Sequence, residues 1–142
     1  MHITAVTAAL LLLAGTAQGQ AQTETRTPAQ AQPPAPAPAQ VKQQIAQGQR
    51  IWQKRCAECH ALDTDETGPR HRGVFGRPAG SIKGYDYSRA LRKSGVQWDA
   101  ASLDRWLTDP EKFIPGQNMD FRVRSKAERE ALITYLRSLS PP

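Results

Sequence analysis

Apolar positions recur at helical spacing in two long stretches of this 142-residue chain. The first stretch, residues 41–55, carries four such positions: Val41, Ile45, Ile51 and Trp52. The second follows Ser125-Lys126-Ala127-Glu128, which has the spacing of a capping box. Its apolar stripe consists of Ala127, Ala131, Leu132, Tyr135, Leu136 and Leu139. Both stretches therefore predict amphipathic helices.

Two shorter helices are predicted between them. Residues 88–94 form one candidate, which Gly95 ends. Asp99 can cap the other, which stops before Pro110 and carries an apolar face of Leu103, Trp106 and Leu107. No stretch alternates between apolar and polar residues as a half-buried strand would. The pattern therefore predicts an all-α fold with long loops rich in glycine and proline.

The first 40 residues have a different character. Residues 3–14 are apolar or small, and Ala17-Gln18-Gly19 fits the small-x-small rule for cleavage, so residues 1–19 are predicted to be a signal peptide. A short uncleaved anchor is the alternative, because no Lys or Arg precedes the apolar run. Residues 20–40 are mostly Ala, Gln, Pro and Thr, which predicts a disordered tether. The folded domain is then residues 41–142.

The folded part is basic. The chain has 19 Lys and Arg against 13 Asp and Glu, for a net charge of +6. The basic residues are scattered, and no groove-reading motif accompanies them, so we predict no nucleic-acid binding. A solvated surface and a docking surface for an acidic partner both fit this distribution.

The chemistry is concentrated in Cys56-Ala57-Glu58-Cys59-His60. A redox dithiol in this spacing would follow a strand, and structural zinc would need a second ligand pair, which a chain with two cysteines lacks. A disulfide would leave His60 unexplained. Covalent haem c uses all three residues, since the thiols of Cys56 and Cys59 attach the haem and the histidine ligates its iron.

A sixth iron ligand can come from two residues. Beyond the predicted signal peptide the chain has one methionine, Met119, and one histidine besides His60, namely His71. His71 follows His60 by only eleven residues and is expected to stay on the same side of the haem. Met119 ends a turn-rich loop far along the chain, which can cross to the opposite side. We therefore predict His60 and Met119 as the metal ligands.

Residues 48–139 resemble class I cytochromes c of the mitochondrial and bacterial c2 type. The resemblance rests on segments in matching order and spacing over about 90 residues. They are residues 48–52, the Cys-x-x-Cys-His motif, Gly68-Pro69, residues 73–77, residues 84–88, Trp98, residues 103–110, residues 115–119 and residues 132–136. The resemblance implies the class I fold, several short helices with long loops around one covalently bound haem.

The resemblance also implies roles for individual residues. The carbonyl of Pro69 would accept the His60 ring N–H. Arg77, Tyr87 and Trp98 hold positions that hydrogen-bond the haem propionates, and Trp106 replaces a tyrosine on the methionine side. Gln117 replaces a threonine before the methionine, which puts one propionate contact in doubt. His71 replaces a leucine, which leaves two interpretations: a partly exposed loop histidine, or a group that titrates near neutral pH.

The expected function is one-electron transport without catalysis. Six iron ligands leave no position for substrate, and the resemblance implies a monomer that meets redox proteins in a respiratory or photosynthetic chain, with a bc1-type donor and an oxidase or another exported acceptor. The expected location is the periplasm, either soluble or tethered to the membrane. Two other functions remain open: a five-coordinate haem that reacts with peroxide or binds gas, and an electron-entry subunit dedicated to one dehydrogenase.

Overall fold

The computed structural model describes residues 36–141 and confirms the all-α prediction for them. They contain five helices, α1 (Pro38–Arg55), α2 (Arg89–Lys93), α3 (Ala100–Thr108), α4 (Pro110–Phe113) and α5 (Lys126–Ser138). The described residues form no strand, only an isolated bridge between Pro78 and Gln97. No helix among them is both long and apolar enough to span a bilayer.

Helix α1 begins earlier than the apolar pattern predicts. Pro38 takes its first turn, where the fixed φ of proline suits a helix start, and the Ala37 N–H donates to Gln40 Oε1 at 3.1 Å. The last residues assigned to the tether are therefore helical. The predicted signal peptide and residues 20–35 of the predicted tether lie outside the described residues.

Helices α1 and α5 cross in close contact. Gly48 of α1 is buried against α5, and a Cβ built on it would lie 2.7 Å from the carbonyl carbon of Ala131, with the carbonyl oxygen closer still. Trp52 packs beside Tyr135, with ring centroids 6.3 Å apart. The crossing therefore requires glycine at position 48, where no side chain separates the helices, and the large aromatic side chain of Trp52 one turn later.

The start of α5 matches only half of the predicted capping box. The Glu128 N–H donates to Ser125 Oγ at 3.3 Å, but the Glu128 carboxylate pairs with Arg55 of α1 at 3.3 Å instead of turning back to its own helix. The predicted stripe is buried at Ala131, Leu132, Tyr135 and Leu136 and partly buried at Leu139. Ala127 is exposed, contrary to that prediction, because the contact with α1 is centred one turn later.

Helix α3 carries its apolar face into the core as predicted. Asp99 caps it by accepting the Ser102 N–H at 2.7 Å, and Leu103, Trp106 and Leu107 are buried. Pro110, interpreted from the sequence only as a stop signal, also begins α4, with Asp109 accepting the Lys112 N–H at 3.1 Å. The sequence analysis missed this one-turn helix.

A buried cation ties α5 to α3. The Arg129 side chain is 9 % exposed, and its Nε donates to Asp104 Oδ1 at 2.7 Å. Its Nη1 donates to the carbonyls of Val123 and Arg124 at 3.0 and 2.9 Å. Because its donors meet a carboxylate and two carbonyls, the guanidinium is buried without an unpaired charge.

Candidate haem site

A cavity of about 370 Å³ lies among the end of α1, the loops that follow it, α3, α5 and the segment around Met119. Apolar side chains line much of it: Val74, Leu103, Leu107, Leu132 and Leu136. All nine cofactor-binding residues predicted from the sequence also line it, namely Cys56, Cys59, His60, Pro69, Arg77, Tyr87, Trp98, Trp106 and Met119. The fold thus brings together residues that are up to 63 positions apart in the sequence.

The two cysteines and the histidine sit on the turn that ends α1. The N–H groups of Cys59 and His60 both donate to the Cys56 carbonyl, at 3.1 and 2.9 Å. Both thiols are free, with Cys56 buried and Cys59 exposed. Burial raises the pKa of the Cys56 thiol to about 11. A redox dithiol needs a stabilised thiolate, so this environment disfavours that alternative.

The His60 ring is held by the loop that faces it. Its Nδ1 lies 2.7 Å from the Pro69 carbonyl oxygen, which can only accept, so Nδ1 carries the proton and the lone pair is on Nε2. Burial lowers the pKa of His60, while the bond to Pro69 opposes that shift. A neutral imidazole with a fixed tautomer is the form that binds a metal.

Gly68 allows this loop to approach the ring. Its N–H donates to the Cys59 carbonyl at 2.7 Å, and it is buried. A Cβ built on it would lie 2.5 Å from His60 Nδ1 and 2.6 Å from Nε2, with Cε1 closer still. No residue larger than glycine fits here without moving the imidazole. The sequence motif Gly68-Pro69 contains this constraint, but only the contact with His60 shows its reason.

Met119 lines the cavity and lies in a loop that is held by hydrogen bonds from the side chains of Glu111 and Gln117. Glu111 of α4 accepts the Gly116 N–H at 3.0 Å and lies 3.4 Å from Gln117 Nε2. The Gln117 side-chain oxygen accepts the Met119 N–H. The polar groups of Gln117 are therefore engaged inside the loop, which gives a structural reason for the doubt about a propionate contact there.

Polar groups at the cavity wall suit an anionic substituent. Arg77 is half-buried, and burial lowers the pKa of its guanidinium, so a nearby negative charge would stabilise it. It donates to the Arg70 and Arg72 carbonyls at 2.9 and 3.1 Å, which leaves part of its donor capacity free. Trp98 is buried and also lines the cavity, and its indole N–H can only donate. An apolar cavity with such donors fits a haem and its two carboxylates.

His71 lies beside His60, on the side where the sequence predicts it. The two rings stack with centroids 4.0 Å apart and planes 22° apart, and His71 Nδ1 accepts the Trp52 indole N–H at 2.7 Å. Burial, together with His60 and Arg77, lowers the pKa of His71 well below its usual value. The direction of this shift, and the Trp52 N–H that His71 Nδ1 accepts, disfavour the hypothesis that His71 titrates near neutral pH.

Sequence reasoning missed two aromatic residues at the cavity. Phe121 lines it and is 38 % exposed, the only large apolar side chain so exposed within residues 36–141. Its position two residues after Met119 was the available signal. Tyr85 also lines the cavity, and its hydroxyl donates to the Thr67 carbonyl at 2.6 Å, which closes the loop that carries Gly68.

Comparison with known proteins agrees with this geometry. The sequence model of the family described as "Cytochrome c" matches residues 45–140. Cytochrome c 2.1 of Caenorhabditis elegans is 41% identical over 92 residues, 63% of this chain and 83% of the relative. A cytochrome c of Gibberella zeae is 38% identical over 97 residues, 66% and 92% of the two chains. The solved structure of cytochrome cH from Methylobacterium extorquens superimposes with a TM-score of 0.63 at 38% identity, covering 66% of this chain and 97% of that one.

Proposed function

The chain belongs to the cytochrome c family, and from this premise we propose that it is an exported one-electron carrier with His60 and Met119 as its axial ligands. The family binds one covalent haem c, for which Cys56 and Cys59 have the required spacing. Its members carry electrons and are not enzymes, so this chain is a haem-based electron carrier. When bound, the haem supplies an iron that alternates between the ferric and ferrous states.

His60 is the proximal ligand in this proposal. The observation that supports it most directly is the 2.7 Å contact between His60 Nδ1 and the Pro69 carbonyl oxygen. Such a contact fixes which nitrogen faces the metal, limits ring rotation and raises the basicity of the ligand. The turn that ends α1 keeps the same ring next to both cysteines.

Met119 is the distal ligand. A thioether stabilises the ferrous iron and raises the reduction potential, and the apolar cavity wall acts in the same direction because it disfavours the additional charge of the ferric state. The fastened loop between Glu111 and Met119 supports a fixed position for the sulfur. With both His60 and Met119 bound to the iron, no position would remain for a substrate, so the site would transfer electrons only.

The propionates are held, in this proposal, by Arg77, Tyr87 and Trp98. All three side chains line the cavity, and Arg77 has donor capacity beyond its two bonds to backbone carbonyls. Burial raises the pKa of Tyr87, so its hydroxyl stays protonated and can donate. Trp106 contributes a buried aromatic surface with no hydroxyl, so Met119 has no tyrosine donor from this position.

We further propose that the protein works outside the cytoplasm, in the periplasm or tethered to the membrane that faces it. Residues 1–19 have the composition of a signal peptide, and residues 20–37, which precede α1, have that of a flexible tether. The protein would accept electrons from a bc1-type donor and pass them to an oxidase or another exported acceptor. The net charge of +6 supports fast, salt-sensitive encounters with acidic partners.

One preparation tests these proposals together. The full chain is expressed in a host that attaches haem c in the periplasm, and the periplasmic and membrane fractions are collected separately. We expect one haem per chain in either fraction, sharp low-spin bands on reduction, and the weak near-infrared methionine-to-iron band when oxidised. A high-spin spectrum, or carbon monoxide binding to the reduced protein at neutral pH, would instead indicate an open iron and a peroxide- or gas-reactive protein. Protein that stays in the cytoplasm and carries no haem would contradict export.

Gly68→Ala is expected to disturb the proximal ligand specifically. The new Cβ would overlap the His60 ring, so the ring must turn away from the Pro69 carbonyl or the loop must lift. We expect a lower yield of haem-loaded protein and, in what is recovered, a reduction potential and visible spectrum that differ from those of the unsubstituted protein.

Gly84→Ala is the matched control. Gly84 has φ +85°, so alanine there is strained, but nothing lies within 4 Å of its Cβ position. It should lower the thermal midpoint and leave the spectrum unchanged. A Gly68→Ala protein with an unchanged spectrum and potential would mean that this contact does not set the position of His60.

A further inference from the structure

His71 lies between the helix pair and the proximal ligand, in contact with both. Its Nδ1 accepts the Trp52 indole N–H at 2.7 Å, and its ring stacks on that of His60. We propose that His71 is a positioning residue, which Trp52 holds in place and which sets the rotation of the His60 imidazole about its Cβ–Cγ bond. This inference rests on the proposed role of His60 as an iron ligand.

Trp52 is a fixed point in the fold. It is buried on α1, 7 % exposed, and packs beside Tyr135 of α5. Its hydrogen bond to His71 joins residues 19 positions apart, so it ties the loop after the haem-attachment motif to the crossing of α1 and α5. Because the indole can only donate, Nδ1 of His71 must accept, and the neutral His71 ring carries its proton on Nε2. The bond thus selects both the orientation and the tautomer of His71.

The stacked ring adds a constraint that the Pro69 bond alone does not supply. One hydrogen bond fixes where Nδ1 of His60 points, but the plane of the ring can still tilt about that contact. A second flat ring with its centroid at 4.0 Å and its plane within 22° restricts that tilt. A leucine side chain could fill the same volume but has no plane to match. The orientation of the plane of an iron-bound imidazole decides which iron orbital it overlaps. A change in the His60 ring angle would therefore move the hyperfine-shifted NMR resonances of the ferric haem.

The test compares Trp52→Phe, His71→Leu and the double variant, all as full-length haem-loaded protein. The readout is the set of hyperfine-shifted haem-methyl resonances of the ferric protein, which report the imidazole angle, together with the reduction potential. We expect both single variants to shift these resonances in the same direction. We expect the double variant to shift them no further than His71→Leu, because Trp52 acts through His71.

Tyr135→Phe is the control, since it alters the other side of Trp52 and leaves the bond to His71 intact. Its methyl resonances should match those of the unsubstituted protein. If Trp52→Phe does not load haem, the indole proton of Trp52 gives a second route. In the reduced protein it should resonate downfield and exchange slowly, and His71→Leu should remove both properties.

The outcomes separate this inference from the function that it rests on. Methyl resonances that Trp52→Phe or His71→Leu leaves unmoved would overturn the positioning role while His60/Met119 ligation stands. An indole proton unaffected by His71→Leu would overturn it as well. An unsubstituted protein whose spectrum lacks histidine ligation would overturn both the ligand assignment and this inference.

Discussion

Replacing Gly48 by alanine is expected to lower the free energy of unfolding by about 3 kcal/mol, the upper part of the usual cost of overpacking a core. A Cβ at this position would lie 2.7 Å from both the Ala131 carbonyl carbon and the Tyr135 Cβ, and closer still to the Ala131 carbonyl oxygen. Those neighbours are backbone or sit at the base of a side chain, so they cannot rotate away. The two helices would have to separate, which would also loosen Trp52 beside Tyr135.

The sign of this effect is informative because helix propensity predicts the opposite. Alanine in a helix interior is favoured over glycine by about 1 kcal/mol. Denaturant unfolding of the haem-loaded protein measures the net result. Gln49→Ala, at the exposed neighbour in the same helix, is the control and should change stability by no more than about 0.5 kcal/mol. A Gly48→Ala protein as stable as Gln49→Ala would mean that the helix contact is loose.

The helices were predictable because their signals are local. Asp99 and Ser125 cap the helices that they precede, and the apolar periodicity of α3 marks the face that is buried. The errors arise where a residue has two possible partners. Glu128 has the spacing to close a capping box but pairs with Arg55, which lies 73 positions earlier in the chain. Nothing in a local pattern indicates such a choice.

The buried Arg129 is a second case in which a local sequence pattern does not indicate the partner of a charged residue. Within α5 its sequence position suggests one more surface charge, yet it is buried and binds Asp104 and two carbonyls. Only the packing of α5 against α3 creates a site for it. The single turn of α4 was missed for a simpler reason, since Asp109-Pro110 ends one helix and begins the next.

The candidate site was predictable to the extent that its chemistry is carried by rare residues. Two cysteines, an adjacent histidine and a single distant methionine leave few combinations, and all of them line one cavity. The supports around them were less accessible. Gly68 and Pro69 are visible as a motif, but their contacts with His60 are not. The interaction of Trp52, His71 and His60 depends on a loop folding back on α1, which no spacing rule describes.

Met119→Leu is expected to change the chemistry of the site more than any other single substitution. Leucine has nearly the same volume, so the cavity wall and the loop should persist while the sulfur ligand is lost. We expect the near-infrared band to disappear from the oxidised protein and the reduced protein to bind carbon monoxide at neutral pH. The reduction potential should fall by a sizeable part of the roughly 0.8 V range that axial ligands set in haem proteins.

Gln117→Ala separates loss of the ligand from loosening of its loop. It removes the side chain that bonds the Met119 N–H and lies against Glu111, but it leaves the thioether in place. This variant should keep the near-infrared band and bind added imidazole faster than the unsubstituted protein does. A Met119→Leu protein that retains the band, or that excludes carbon monoxide as the unsubstituted protein should, would show that the sixth ligand is not Met119. His71 would not be the replacement ligand, because its ring stacks on His60 on the same side of the site.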